Sequence, residues 1–185
     1  MKKLFIFIIF SIFVLAIPTA KASCDLASIA QGYLDDAHAY VNFGYAKPSL
    51  EISNARLIKA NKAKAKEYGK LKNSKGFIAS QLDYESNKIV IFAHIFDGHN
   101  TCDDFVVGKL KRIIVHEYTH QLDQFDQLSQ IAKLKNFETT AIIGEYILPK
   151  MIWGKRSPMV LRQLTHQEKK KASKIRRFIF QNRNQ

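Results

Sequence analysis

The periodicity of hydrophobic and polar positions predicts helices in the chain that follows residue 24. Apolar residues recur with the helical period from Leu26 to Val41, and Asp25 precedes them as a candidate helix cap. Pro48 breaks this pattern, and a second, lysine-rich helical stretch is predicted from about Ser53 to Leu71. The lysines of that stretch favour a solvated face, with docking on an anionic partner as the alternative.

The middle of the chain changes to a pattern typical of β-strands. Two runs rich in β-branched and aromatic residues, 76–84 and 88–96, are joined by a short polar link and predict a β-hairpin. The second run is almost entirely apolar, as is typical of a strand that is covered on both faces.

Three further helices are predicted in the second half of the chain. The first begins at residue 103 or 104 and ends or bends after about residue 125. The second includes residues 137–148 and must stop near Pro149, because proline removes a helical hydrogen bond. The third follows a capping box, Thr165-x-x-Glu168. Helices on both sides of a hairpin predict an α+β fold.

The first 22 residues have the pattern of a secretory signal peptide. Two lysines precede an apolar run, residues 4–17, and Ala20-Lys21-Ala22 forms a small-residue cleavage pattern before Ser23. The run is short for a membrane anchor, since a spanning helix needs about 20 apolar residues. The sequence therefore predicts a cleaved signal peptide, residues 1–22, and one exported domain, residues 23–185, in the periplasm or the extracellular space.

The exported chain would be strongly basic. The full sequence contains 29 Lys and Arg against 16 Asp and Glu, a net charge of +13, and loss of the three lysines of the signal peptide would leave +10. This charge favours anionic partners such as lipid headgroups or cell-wall polymers. It indicates no specific nucleic acid.

The sequence contains two cysteines, Cys24 and Cys102. An even number of cysteines in an exported chain predicts a disulfide, with two buried thiols as the alternative. In the chain-entropy model, closing a loop of this length would stabilise the fold by about 4 kcal/mol.

The segment HEYTHQLD, residues 116–123, carries the candidate chemistry. Residues four apart on a helix project from one face, so His116 and His120 can direct imidazole nitrogens at one metal ion. Glu117 lies beside that face, where its carboxylate can act as a general base without binding the metal. A zinc site is favoured over paired surface histidines because this motif rarely arises by chance in a chain of this composition.

A catalytic zinc site needs a third protein ligand, and the candidates are Glu138 and Glu145. If the chain turns tightly after residue 125 and returns antiparallel, Glu138 reaches the metal. Glu145 lies about 10 Å further along the same helix and would be the ligand if residues 126–136 formed a long loop. Asp123 follows His120 by three residues, so it either orients a ligand histidine or is a solvated carboxylate.

The segment HEYTHQLD and the following FETTAIIGEY together resemble the lethal-factor-like zinc peptidases. These gluzincins include the anthrax lethal factor catalytic domain, the secreted Pro-Pro endopeptidases and the MtfA peptidases. Their motif is H-E-x-x-H-x-x-D, followed by a helix with E-x-x-A whose glutamate is the third ligand. The resemblance covers roughly residues 105–149. It implies a zincin-like fold, one zinc ion on His116, His120 and Glu138, and Glu117 as the general base, while Asp123 matches the aspartate of the motif.

The sequence departs from this family at one position. These peptidases carry a tyrosine seven residues before the ligand glutamate, where it can stabilise the oxyanion, and here that position is Ile131. The candidates to replace it are Tyr146, Tyr84, His94 and His99. The two remaining histidines, His38 and His166, are interpreted as surface residues.

Two functions of different classes follow. The first is an exported zinc metalloendopeptidase that acts on proteins or peptides, with an edge strand of the hairpin pairing with extended substrate. The second is a non-enzymatic basic protein that docks on an anionic membrane or cell wall, with zinc in a structural role. A closed structural site would need a fourth protein ligand, and no cysteine lies near the motif, which favours the enzyme.

Overall fold

The computed structural model describes residues 24–41, 43–54, 79–156, 159–160 and 162–183. Its elements along the chain are α1 (Leu26–Val41), β1 (Ser49–Ser53), β2 (Ser80–Asp83), β3 (Lys88–Phe92), a 3₁₀ helix (Ala93–Phe96), α2 (Asp104–Asp126), α3 (Leu128–Ile131), α4 (Phe137–Trp153) and α5 (His166–Asn182). The fold is therefore α+β, as predicted. The predicted signal peptide and most of the predicted lysine-rich helix lie outside the described residues.

The three strands form one small mixed sheet in the order β1-β3-β2. β3 lies in the centre, parallel to β1 and antiparallel to β2, and the β2–β3 hairpin is the one that the sequence predicts. β1 was not predicted, and it includes Ser53, where the sequence predicted a helix to begin. Five residues next to a proline give little periodicity, and β1 is defined by its pairing with β3 instead.

The second half of the predicted hairpin is wrong beyond residue 92. Residues 93–96 form a 3₁₀ helix in which Phe96 is buried. An apolar run of nine residues looks like one strand, but its last four residues turn to bury Phe96 in the core. The chain then continues through a turn into α2.

α2 is the central helix of the domain, and it packs against α4 most extensively and also against α1 and β2. The apolar side chains of α2 that the sequence predicts to face the core are buried, among them Leu110, Ile113 and Ile114. Gln121, directly after the HEYTH motif, donates to the Ala46 carbonyl and to the Asn87 side chain. These bonds fix the motif helix to the segments that lead into β1 and β3.

α4 does not stop at Pro149, which is a correction to the sequence prediction. The helix continues through the buried proline to Trp153 and ends at Gly154 in the left-handed conformation, with φ 69°. Leu148 is fully buried, and the Trp153 indole donates to Asp36 of α1. Packing of this last turn therefore outweighs the helical hydrogen bond that Pro149 removes.

Two further features that the sequence predicts are present in the structure. Thr165 and Glu168 form the capping box at the start of α5. Cys24 is joined to Cys102 by a disulfide, with the Cα atoms 5.1 Å apart. Within the described ranges, no helix is both long enough and apolar enough to cross a membrane.

Candidate metal centre

The candidate site lies where α2 and α4 cross, and one residue determines how closely they approach. Gly144 of α4 faces Thr119 of α2, and a Cβ atom added at Gly144 would lie 1.9 Å from the Thr119 hydroxyl oxygen. That hydroxyl donates to the Val115 carbonyl at 2.6 Å, so the threonine side chain is held in place. The two backbones can approach this closely because position 144 has no side chain.

This contact lies beside the residues that the sequence predicts as metal ligands. His116 and His120 project from the same face of α2, and their Nε2 atoms are 3.2 Å apart. Glu138, in the first turn of α4, places one carboxylate oxygen 3.4 Å from His116 Nε2 and the other 3.5 Å from His120 Nε2. The nearest potential ligand atoms of the three residues all lie within 4.8 Å of one another. The three residues could therefore hold a metal ion.

The short connection between α2 and α4 explains why Glu138 reaches the histidines. α2 ends at Asp126, the single turn of α3 follows, and Asn136 caps α4 by accepting from the Glu138 amide at 2.8 Å. The chain thus returns tightly, without the long loop that would have favoured Glu145.

Glu145 contacts the same histidine from the opposite side. Its Oε1 atom is 2.8 Å from His116 Nδ1, and the glutamate is only 1% exposed. A carboxylate at this position accepts the Nδ1 proton and directs the other ring nitrogen of His116, Nε2, toward His120 and Glu138. Glu145 therefore orients His116, and Glu138 completes the cluster.

The electrostatics of the cluster favour positive charge. Burial alone would lower the pKa of His116, but hydrogen bonds to Glu138 and Glu145 outweigh it and raise that pKa to about 10. Burial has the opposite effect on Glu138 and would raise its pKa. Hydrogen bonds with the two histidines outweigh burial and hold the pKa of Glu138 well below its ordinary value. The two carboxylates favour the charged form of His116, and a metal ion bound at Nε2 would have to replace the proton there.

Glu117 lies beside this cluster and is held by the sheet. It is 5% exposed, and the Ser80 hydroxyl, at the start of β2, donates to its Oε1 atom at 2.6 Å. The sequence did not single out Ser80, because the contact joins residues 37 apart in the chain and no local pattern indicates it. Phe137 was also missed, although it directly precedes Glu138; its ring centroid is 5.3 Å from that of His120.

Asp123 does not orient a ligand histidine. Its carboxylate accepts from the Ser129 amide at 2.6 Å, at the junction of α2 and α3, where backbone amides lack helical partners. His120 Nδ1 is buried and has no hydrogen-bond partner within the described part of the chain. The spacing of three residues places Asp123 on the same face of α2 as His120, but its carboxylate binds the backbone amide of Ser129 at the end of the helix.

The predicted oxyanion candidates lie in four different settings. Tyr146 donates to the Gln163 side chain, and the His99 ring stacks on Phe105 with centroids 4.6 Å apart. Tyr84 lies exposed in the β2–β3 turn, and His94 lies in the 3₁₀ helix. Ile131, which occupies the position of the family's tyrosine, ends α3 and packs against the core.

The two histidines interpreted as surface residues differ from each other. His166 is exposed at the start of α5. His38 is half-buried, and its Nδ1 atom lies 3.2 Å from the hydroxyl of Tyr118, a residue of the HEYTH motif. Burial raises the pKa of Tyr118 well above its ordinary value, so its hydroxyl stays protonated.

No protein-family model matches the chain, and no curated protein or solved structure matches it either.

Proposed function

We propose that this chain is an exported zinc metalloendopeptidase with a zincin-like fold. The observation that carries the proposal is the contact of Glu138 with both motif histidines, beside a buried glutamate, Glu117, that is held by a different element. Export is proposed from the pattern of residues 1–22. The disulfide supports it, because disulfides persist in oxidising compartments.

The donor set suits zinc. Two imidazole nitrogens and one carboxylate are ligands that zinc takes in catalytic sites, and three protein ligands leave a fourth position open for water or substrate. When bound, zinc would lower the pKa of a coordinated water and polarise the scissile carbonyl. His116 is oriented for this role by Glu145, an arrangement common behind zinc-binding histidines.

Glu117 would act as the general base. Its Oε1 atom accepts from Ser80, so its Oε2 atom can take a proton from the attacking water and pass it to the leaving amine. A carboxylate that was itself a metal ligand would not be available for this transfer. The hydrogen bond from β2 therefore supports a division between three ligands and one base.

The substrate is proposed to be an extended peptide that lies beside β2. β2 is at one edge of the sheet, and its outer side pairs with no other strand in the described ranges. Ser80 connects this edge directly to Glu117. A peptide that added to this edge as a strand would place its backbone next to the proposed base.

The substitution Glu117→Gln tests the proposal. It keeps the shape of the side chain and removes the proton acceptor, so we expect unchanged zinc content and a loss of roughly 10²–10⁴-fold in the rate of peptide hydrolysis. The measurement is cleavage of a mixed peptide library at equal zinc content, with and without chelator. Glu51→Gln is the matched control, because Glu51 is an exposed carboxylate on the opposite edge of the sheet.

Two outcomes would count against the enzyme. Equal cleavage by the unchanged protein and by Glu117→Gln would indicate a contaminating peptidase. Binding of zinc with no cleavage of any library peptide, together with docking on anionic surfaces that Glu117→Gln leaves unchanged, would favour the non-enzymatic binding protein instead.

A further inference from the structure

α5 carries a basic face that the proposed catalytic chemistry does not use. Its apolar stripe is buried in the core through Ala172, Ile175 and Ile179. The opposite side exposes five cationic side chains, which define the α5 basic face: Lys169, Lys170, Lys174, Arg176 and Arg177.

The single acidic residue of α5 does not neutralise this face. Glu168 lies in the first turn, where its carboxylate accepts hydrogen bonds from Nη1 and Nη2 of Arg162 and from the Thr165 amide. Its charge is therefore already paired at the start of the helix. The rest of the exposed side presents positive charge alone over more than two turns.

An aromatic side chain lies on the same side of the helix. Phe180 follows Arg176 by four residues and Arg177 by three, so helical spacing places the three together. Phe180 is 60% exposed, the most exposed of the large hydrophobic side chains in the described ranges. The Arg183 guanidinium lies 4.4 Å from the centroid of its ring. A solvent-facing phenyl ring among cations contributes little to the domain core.

We propose that the α5 basic face docks the domain on an anionic lipid bilayer. The lysines and arginines would contact headgroup phosphates, and Phe180 would enter the boundary between headgroups and acyl chains. Charge alone would suit any polyanion, but an exposed aromatic ring beside the cations matches the layered polarity of a membrane surface. The residues of this face are not among those of the candidate metal centre, and the proposed docking does not depend on hydrolysis.

Vesicle binding tests the proposal. Sedimentation with vesicles of phosphatidylglycerol and phosphatidylcholine is compared with sedimentation with phosphatidylcholine alone, at low ionic strength. The apolar run at residues 4–17 could itself bind lipid, so the measured quantity is the ratio of the two affinities. Arg176→Gln/Arg177→Gln should lower this ratio roughly tenfold or more, since each cation near the surface contributes to binding.

A matched control and a second variant distinguish an effect of the α5 basic face from an effect of the net charge of the protein. Lys150→Gln/Lys155→Gln removes the same charge from exposed positions near the end of α4 and should change the ratio little. Phe180→Ser should lower binding to anionic vesicles about fivefold, by loss of an apolar contact, and leave binding to double-stranded DNA unchanged. Thermal unfolding checks that each variant is folded.

Three outcomes would overturn the proposal. An equal loss in the Lys150/Lys155 control would mean that only net charge matters. Unchanged vesicle binding in Phe180→Ser would show that Phe180 makes no contact with the lipid. A loss of DNA binding in Arg176→Gln/Arg177→Gln as large as the loss of vesicle binding, with no effect of Phe180→Ser, would indicate a general polyanion surface.

Discussion

The first turn of α4 and its middle each present a glutamate to His116, but in opposite surroundings. The Glu138 side chain is 40% exposed and contacts Nε2, whereas Glu145 is almost fully buried and contacts Nδ1. The two residues are seven apart on one helix, so they share a face. The imidazole ring of His116 lies between the two carboxylates and contacts each of them through a different nitrogen.

This difference indicates that position, not residue type, determines the role of each carboxylate. The first turn of α4 leaves the Glu138 carboxylate partly accessible to solvent. The buried middle of the helix places the Glu145 carboxylate against Nδ1 of the same imidazole ring. The same relation recurs across the site, because Ser80 supports Glu117 as Glu145 supports His116.

The most direct way to test this comparison is Glu138→Gln. The amide keeps the size of the side chain but is a poor zinc ligand, so we expect zinc affinity to fall more than the roughly hundredfold that loss of an orienting partner can cause. Competition with a chelator measures the affinity. If Glu138→Gln kept full affinity while Glu145→Gln lost it, the ligand would be Glu145.

Glu145→Gln should have the smaller of the two effects on zinc. The amide oxygen can still accept the Nδ1 proton of His116, but without a negative charge, so we expect zinc affinity to fall roughly 10–100-fold. The same chelator titration measures it. Affinity equal to that of the unchanged protein would mean that Glu145 does not orient the metal site.

Gly144→Ala tests the close approach of α2 and α4 that brings both glutamates to His116. The added Cβ would overlap Thr119, so we expect a loss of about 1–3 kcal/mol in the free energy of unfolding and weaker zinc binding. Urea unfolding of the metal-free protein measures the first effect.

Gly32→Ala is the matched control for this substitution. Gly32 lies on the exposed side of α1, with nothing within 4 Å of an added Cβ. Alanine there should stabilise the protein by about 0.5–1 kcal/mol, because glycine is a poor residue in a helix interior. Equal destabilisation by both substitutions would show that the Thr119 contact is not the cause.

Ser80→Ala should give the smallest effect, and it tests the support of the proposed base. Loss of one hydrogen bond to a carboxylate should lower kcat about tenfold, with zinc affinity unchanged. Ser86→Ala is the control, since Ser86 donates to Asp83 in the exposed β2–β3 turn. If Ser80→Ala changed zinc affinity and not kcat, Ser80 would support the metal ligands and not the base.

Several features that the sequence predicted correctly have local causes. The capping box of α5 and the limits of α1 follow from side chains within a few residues. The position of Glu138 follows from how far a helix extends before the chain must return. For the capping box and the limits of α1, neighbouring residues contain the whole physical reason, and for Glu138 the length of the connection between two helices is enough.

The features that the sequence predicted wrongly depend on distant contacts. α4 passes through Pro149 because its last turn packs against α1, more than 100 residues earlier in the chain. Residues 93–96 form a 3₁₀ helix and do not continue β3, because this turn buries Phe96 in the core. Two contacts that the sequence left open, Ser80 with Glu117 and Glu145 with His116, also depend on the packing of whole elements, which periodicity does not describe.

The disulfide between Cys24 and Cys102 makes the first part of the domain a covalent ring. α1 and all three described strands lie inside the ring, and α2 to α5 follow it. A single cut of the backbone anywhere inside the ring, including among the lysines between residues 59 and 72, would leave both pieces joined. Such a nicked chain would migrate as one species on a denaturing gel until the disulfide was reduced. The protein can therefore be cleaved once inside the ring and still keep α1 and the sheet attached to the helix that carries the candidate metal ligands.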